Sequence, residues 1–367
     1  MIQVLDIDGK VVNPKLEPQL SSDQLHKLYR YMVLTRHLDE KCLLMQRQGR
    51  IGFFVTSTGQ EAVVGSGMAL ETRDWVFPAY REHAVGLLRG LPLKVLIAQL
   101  FGNSEDLLKG RQMPNHFAHR STHYVSISSP IGTQISHAVG AAMASKIKKD
   151  NVVTISYFGD GGTSSNDFHA GMTFAGAMKV PSIFYCSNNQ YAISVPLEKQ
   201  TGETVLAKKA LGYGIEGVRV DGNDVLAVYA VTKQAVDRAR EGKGPTFIEA
   251  FTFRMGAHSS SDDAKRYCPE SKYVEWGKKD PIQRFKKYLI DKKMWSQEED
   301  ETFVEAIKKE INDTVEVVKS VLPPALSTLF EDVYATLPKH LEWQRQQLLQ
   351  EAELKGAFED SSQAFPL

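Results

Sequence analysis

Along the middle of the chain the hydrophobic pattern switches repeatedly between the period of a strand and that of a helix. Residues 152–158 form a short β-branched and aromatic run closed by Gly159, and 168–178 then carry apolar residues at helical spacing. Residues 182–186 predict the next strand, 218–220 another, 225–239 an amphipathic helix, and 246–253 a further strand after the Gly244-Pro245 break. Strand, helix and strand in repetition predict an α/β fold with a central parallel sheet and helices on both faces. Ligands of such sheets bind beyond the carboxyl ends of the strands, where Asp160, Asn188 and Asn189 fall.

Both ends of the chain read as helical extensions of this core. Ser296 with Glu299 predicts a capping box, and Phe303, Ile307, Ile311 and Val315 repeat every fourth residue until Pro323-Pro324 stops the helix. That stripe suits packing or docking, not catalysis. The 22–37 stretch also reads as helical, and its pattern fits packing within the chain as well as wrapping a neighbour. No repeat at solenoid periods is present.

Composition adds mainly exclusions. Lys+Arg and Asp+Glu both number 44, so no global field favours nucleic acid or an anionic membrane, and any anion site must be local. Zero net charge gives little colloidal repulsion, which fits a chain that hides surface in an assembly. The N-terminus carries Asp6 and Asp8 where a signal peptide is basic, and no apolar run approaches the roughly 20 residues of a membrane span, so a cytoplasmic location is expected. Cys42, Cys186 and Cys268 have neither the spacing of a zinc site nor the even number of a disulfide framework, and read as buried thiols.

Two segments carry candidate chemistry: Gly159-Asp160-Gly161-Gly162-Thr163-Ser164 and Ser187-Asn188-Asn189-Gln190-Tyr191. Glycines after a strand let the backbone approach a diphosphate, and the next helix N-terminus adds a favourable dipole. Twenty-nine positions separate Asp160 from Asn189, room for one helix and one strand, so two oxygen ligands return side by side at adjacent strand ends. Such a pair suits Mg²⁺, which takes oxygen ligands and keeps phosphate oxygens of its substrate. Either segment alone reads as a surface turn; together, in this context, they match the thiamin-diphosphate motif. Two rivals fail on context. Gly212-Tyr213-Gly214-Ile215-Glu216-Gly217 fits a dinucleotide fingerprint but ends a helical stretch and precedes a strand, the reverse of what that motif needs. Asp6-Ile7-Asp8-Gly9 lacks the later ligands of a calcium loop and reads as a hairpin turn. His83, His116, His123, His137 and His169 form no metal-binding pattern and are expected in structural roles.

Further segments are Gly49-Arg50-Ile51, Phe77-Pro78-Ala79-Tyr80-Arg81-Glu82, Lys109-Gly110-Arg111-Gln112-Met113-Pro114, Ser128-Ser129-Pro130-Ile131-Gly132-Thr133-Gln134 and Arg254-Met255-Gly256-Ala257-His258-Ser259. With these the chain resembles, over nearly its whole length, the α-subunits of thiamin-diphosphate-dependent 2-oxo acid dehydrogenases, most of all the branched-chain type. The resemblance implies a thiamin-diphosphate-binding α/β domain over 41–290, an N-terminal extension over 1–40 and a C-terminal helical region over 291–367. It implies that Asp160, the Asn189 side chain and the Tyr191 carbonyl hold Mg²⁺, and that Tyr80, Arg81 and His258 reach the cofactor's diphosphate above Gly161 and Gly162. Ser129 and the Ile131 backbone would meet the aminopyrimidine ring. Ser128, Pro130, Thr133 and Gln134 resemble a K⁺-binding loop, a stretch that composition alone reads as a turn capping a helix near Ser136. The pattern departs at Ser187, where branched-chain relatives often carry arginine.

Phe53 and Tyr80 are expected to wall the substrate site, with Tyr80 and His258 as catalytic groups and His258 assisting proton movement. The 258–263 loop by itself reads as a solvated polar loop; in mitochondrial relatives a serine at the place of Ser259 is phosphorylated. The family's catalytic glutamate lies on the β-subunit, so the expected partners are that subunit, in an α₂β₂ heterotetramer, and a lipoyl acyltransferase. The implied reaction is oxidative decarboxylation of a branched-chain 2-oxo acid with acyl transfer to lipoyl. A pyruvate or acetoin substrate remains open, as does a non-catalytic scaffold subunit.

Overall fold

The computed structural model describes residues 1–331 and 333–355. The end of the predicted 291–367 region, residues 356–367, lies outside the described residues. Among the described residues seven strands occur: β1 (Trp75–Phe77), β2 (Thr154–Gly159), β3 (Ser182–Asn188), β4 (Tyr191–Ala192), β5 (Val195–Pro196), β6 (Glu216–Asp221) and β7 (Thr246–Phe251). Five form one parallel sheet in the order β1-β2-β3-β7-β6, and β4 pairs with β5 antiparallel just beyond it. In the β2–β3 register Gly159 stands opposite Ser187. The chain after each of these residues therefore leaves the sheet at the same place, and Asp160 emerges beside Asn188 and Asn189.

The main helices are α1 (Ser22–Arg47), α2 (Val64–Met68), α3 (His83–Leu88), α4 (Leu93–Phe101), α5 (Thr133–Lys148), α6 (Asn166–Met178), α7 (Leu197–Gln200) and α8 (Val225–Arg240). After the sheet come α9 (Glu270–Gly277), α10 (Pro281–Asp291), α11 (Gln297–Lys319) and α12 (Lys339–Lys355). Successive residues of the central strands face opposite sides of the sheet. Ile155, Tyr157, Ile183, Tyr185 and Ile248 join a large core with α1, α8, α10 and α11, whereas Phe158, Phe184, Cys186 and Phe247 pack against α5 and α6. Helices on both faces explain why the inner strands are continuously buried and read as unbroken apolar runs.

Several predicted boundaries shift for local reasons. The strand predicted to reach 253 ends at Phe251, because the Thr252 hydroxyl turns to the Asn223 amide oxygen (2.6 Å) and the Gly59 carbonyl (3.2 Å). Helix α5 starts at Thr133 instead of near Ser136, directly after Gly132 at φ +98, and so carries the Gln134 side chain inward to donate to the Tyr157 carbonyl (2.8 Å). A side chain at Gly132 would also stand 2.4 Å from Ser165 Oγ, so this turn requires glycine twice over. Ser296 caps α11 through the Glu299 N–H (3.2 Å), but the reciprocal bond of a capping box forms elsewhere, between Ser21 and Gln24 at the start of α1.

Helices α1 and α11 pack within their own chain. Leu25, Leu28 and Met32 of α1 and Ile307, Ile311 and Val315 of α11 are buried in the one large core. The Asp6–Gly9 segment is a tight turn, with the Gly9 N–H donating to the Asp6 carbonyl (3.0 Å). Gly217 packs under the Ala207 carbonyl, where a Cβ would meet that oxygen at 2.1 Å, whereas Gly214 ends the preceding 206–213 turn at φ +67 and Gly212 has open space around it. The three cysteines are buried and free. Among the described residues no helix is long and apolar enough to cross a membrane.

Candidate active site

The carboxyl ends of β2, β3 and β7 open into one cleft of about 550 Å³. Asp160 opens a 3-10 turn, Asp160–Ser164, at the end of β2 and is 1% exposed. Burial pushes its carboxyl up to about 6, an effect opposed by backbone hydrogen bonds and by Arg254. Its Oδ2 finds no hydrogen-bond partner among the described residues. Gly161 has no Cβ for a steric reason: one would lie 2.9 Å from the Ala192 Cβ and push the turn away from β4.

Asn189 is nearly buried and donates from Nδ2 to Gln60 Oε1 at 3.1 Å. With the amide in that orientation its oxygen faces Asp160 Oδ1 at 3.3 Å and the Tyr191 carbonyl at 3.1 Å. The Asn189 oxygen then faces two other oxygens with no proton between it and either. Reversing the amide lets its nitrogen donate to both. The first arrangement suits a cation: ligand oxygens about 2.1 Å from Mg²⁺ in an octahedron stand about 3 Å apart. Only one of the three is a carboxylate, and among the described residues no group of three His, Cys, Asp or Glu side chains could hold a metal.

Arg254 locks this corner. It is 3% exposed and follows β7, donating to the carbonyls of Tyr191 (3.1 Å) and Ile193 (2.7 Å) and to the Tyr267 hydroxyl (2.9 Å). Ile193 is β-branched yet sits at φ +57, a conformation its surroundings must impose. The Arg254 fork contributes to that restraint.

Across the cleft, Tyr80 and Arg81 lie between β1 and α3. The buried Glu82 carboxylate accepts from the Ala79 N–H (3.0 Å) and the Arg81 N–H (3.3 Å) and so shapes the turn that presents them. The Arg81 guanidinium donates to the Thr56 carbonyl and to the His258 carbonyl (2.8 Å), and reaches His258 Nδ1 at 3.3 Å. Burial lowers Arg81 to about 10, so it stays cationic. Burial and then the charges of Arg81 and Arg254 depress His258 to about 4, so the ring is neutral near pH 7. Because arginine can only donate, His258 Nδ1 accepts, and the ring proton resides on Nε2. The Tyr80 and His258 rings meet edge to face at 5.9 Å.

The cleft wall brings together Phe53, Tyr80, Arg81, Ser129, Ile131 and Gln134 with Asp160, Gly161, Gly162, Asn189, Tyr191 and His258. Ser128 and Pro130, in the loop that carries Ser129, and Thr133, the first residue of α5, do not line the cleft. Sequence reasoning missed Gln60, Asn115, His116 and the role of Arg254. Asn115 Nδ2 donates to the Tyr80 carbonyl (2.8 Å), and His116, expected to be structural, lines the cleft with Nε2 at 2.6 Å from Ser129 Oγ. Their partners lie 13 to 129 positions away in the chain. The one available signal was that Asn115 and His116 directly follow the Met113-Pro114 segment.

The chain matches the family model described as Dehydrogenase E1 component across residues 29–327. It is 42% identical over 356 residues to the mitochondrial 2-oxoisovalerate dehydrogenase subunit alpha of Mus musculus, covering 96% of this chain and 80% of that protein. The pyruvate dehydrogenase E1 component subunit alpha of Acholeplasma laidlawii is 44% identical over 342 residues, 92% of this chain and 96% of its own length. That of Staphylococcus aureus is 41% identical over 343 residues, 93% and 90% respectively. A cleft at the carboxyl ends of a parallel sheet, a family match over most of the chain and relatives of one kind agree: the chain belongs to the dehydrogenase E1 component family, among the α-subunits of 2-oxo acid dehydrogenases.

Proposed function

We propose that this chain holds the Mg²⁺ and diphosphate half of a thiamin-diphosphate site. Together with a β-subunit it decarboxylates a branched-chain 2-oxo acid and passes the acyl group to the lipoyl group of an acyltransferase. The carrying observation is the meeting of Asp160, Asn189 and the Tyr191 carbonyl with Arg81 and His258 in one cleft.

The donor set fits Mg²⁺, with hard oxygens only and an Asp160 Oδ2 left open. When bound, thiamin diphosphate supplies the electron sink that loss of CO₂ from a 2-oxo acid requires. The chain's own residues bind and orient. Arg81, whose terminal nitrogens already donate to Thr56 and His258, offers its charge and its remaining N–H donors to phosphate oxygens, and the His258 Nε2–H is a second donor beside it. Gly161 and Gly162 allow close approach of the backbone. Deep burial of Asp160 keeps water from screening the attraction between its carboxylate and the metal. Phe53 and Tyr80 wall the space for the substrate's carbon chain, and His258 is placed to move a proton during acyl transfer. A K⁺ site at Ser128, Pro130, Thr133 and Gln134 draws support from Gln134 Oε1, a buried acceptor without a partner among the described residues.

The Ser128-Ser129-Pro130 loop favours a branched-chain substrate. The two pyruvate dehydrogenase relatives, at similar identity, support pyruvate as the second reading. One methylene in an apolar pocket discriminates by only about 1–3 kcal/mol, so the two substrates would differ in degree. The test is 2-oxo acid decarboxylation with an artificial electron acceptor, using this chain co-expressed with its β partner. Cofactor- and Mg²⁺-dependent turnover favouring 3-methyl-2-oxobutanoate is expected. Preference for pyruvate would move the substrate, and turnover independent of thiamin diphosphate would overturn the reading.

A further inference from the structure

We propose that His116 is a positioning residue that fixes the hydrogen-bond polarity of Ser129, making its hydroxyl oxygen an acceptor toward the cleft. This rests on the reading that thiamin diphosphate occupies the cleft with its diphosphate at Asp160 and Arg81 and its aminopyrimidine at Ser129.

The argument is one of proton counting. His116 Nδ1 contacts the Pro114 carbonyl at 3.3 Å, and a carbonyl only accepts, so Nδ1 carries the proton. In the neutral ring Nε2 then holds a lone pair. Ser129 Oγ lies 2.6 Å from that lone pair and must donate its only proton to it. Ser129 is exposed to the cleft, whereas His116 is 7% exposed, so water does not compete for the imidazole side of this bond. The two free lone pairs of Ser129 Oγ are left for the ligand.

A serine hydroxyl normally rotates to donate or accept as its ligand requires. Here the choice is made before the ligand arrives. The site is thus matched to a ligand group bearing N–H, such as the exocyclic amine of an aminopyrimidine. It is mismatched to the same ring bearing an oxo group, where acceptor would face acceptor. His116 belongs to neither the metal corner nor the diphosphate side, and its effect is confined to which ring substituent is preferred.

The test compares binding of thiamin diphosphate with that of its 4′-oxo analogue, oxythiamin diphosphate. Calorimetry with Mg²⁺ on the α–β complex gives the ratio of dissociation constants. The wild-type complex should prefer thiamin diphosphate, and His116→Phe should shrink that ratio by about five- to tenfold, the worth of one directed hydrogen bond. His116→Gln, whose amide oxygen still accepts from Ser129, should keep the ratio. Ser129→Ala, which leaves the imidazole in place, should shrink it as His116→Phe does. An unchanged ratio in His116→Phe, or equal ratios in His116→Phe and His116→Gln, overturns the proposal while leaving the cofactor reading intact. If neither compound binds the wild-type complex, the cofactor reading fails first and the proposal falls with it.

Discussion

Single buried groups set the chemistry of this protein. Asp160 is the one anionic side chain among the three oxygens at the metal corner, and replacing it by asparagine keeps its shape while removing its charge. Asp160→Asn should therefore weaken Mg²⁺-dependent cofactor binding by about a hundredfold, with an unchanged circular dichroism spectrum. Retained affinity would show that the carboxylate holds no metal. Glu82 has a different signature. Burial raises its carboxyl from 4.5 to about 7, against the opposing influence of Arg81, its two backbone hydrogen bonds and His83, while Tyr124, Tyr157 and Tyr185 also face it. Between those values the folded chain keeps a proton that the unfolded chain has released. The stability this contributes is complete below about pH 4.5 and is lost as pH rises through about 7, by roughly 3 kcal/mol. Urea unfolding at about pH 5 and about pH 8 should show this loss in the wild type and little of it in Glu82→Gln.

At the scale of elements, the site depends on how strand ends and loops are held. Arg254 ties the turn that leaves β4 to the 258–267 loop: it donates to the Tyr191 and Ile193 carbonyls and to the Tyr267 hydroxyl, which donates at 2.5 Å to the Asp262 carboxylate that also accepts from the His258 N–H. A lysine carries the charge but cannot span these acceptors. Arg254→Lys is expected to weaken Mg²⁺-supported cofactor binding about tenfold, measured by calorimetry, with the thermal transition still cooperative. An affinity equal to wild type would remove the arginine from this positioning role. The order of elements was readable from sequence because strand and helix periods differ so clearly between 152 and 251. The ends were not. Where β7 stops and α5 begins is fixed by Thr252 reaching Asn223 and by Gly132 fitting against Ser165, contacts that periodicity does not record.

For the whole molecule, one large core joins α1 and α11 to the sheet, so damage far from the cleft should cost stability without touching the site. Ile311 is buried on α11 against α1 and α4. Ile311→Ala should lower unfolding free energy by about 2–4 kcal/mol in chemical denaturation and leave cofactor affinity unchanged. A change in affinity would reveal coupling between the helical flank and the cleft. The sequence by itself determined the parallel α/β plan, the two motif segments and their pairing at adjacent strand ends. Glycine, aspartate and asparagine at those places act through local backbone geometry and chain spacing, both of which are properties of sequence. Only the tertiary structure decided that Gln60 meets Asn189, that Arg254 holds the Tyr191 carbonyl, and that His116 meets Ser129. Each of those contacts joins residues from separate segments, and its geometry exists only once the burial of both faces of the sheet has brought the segments together.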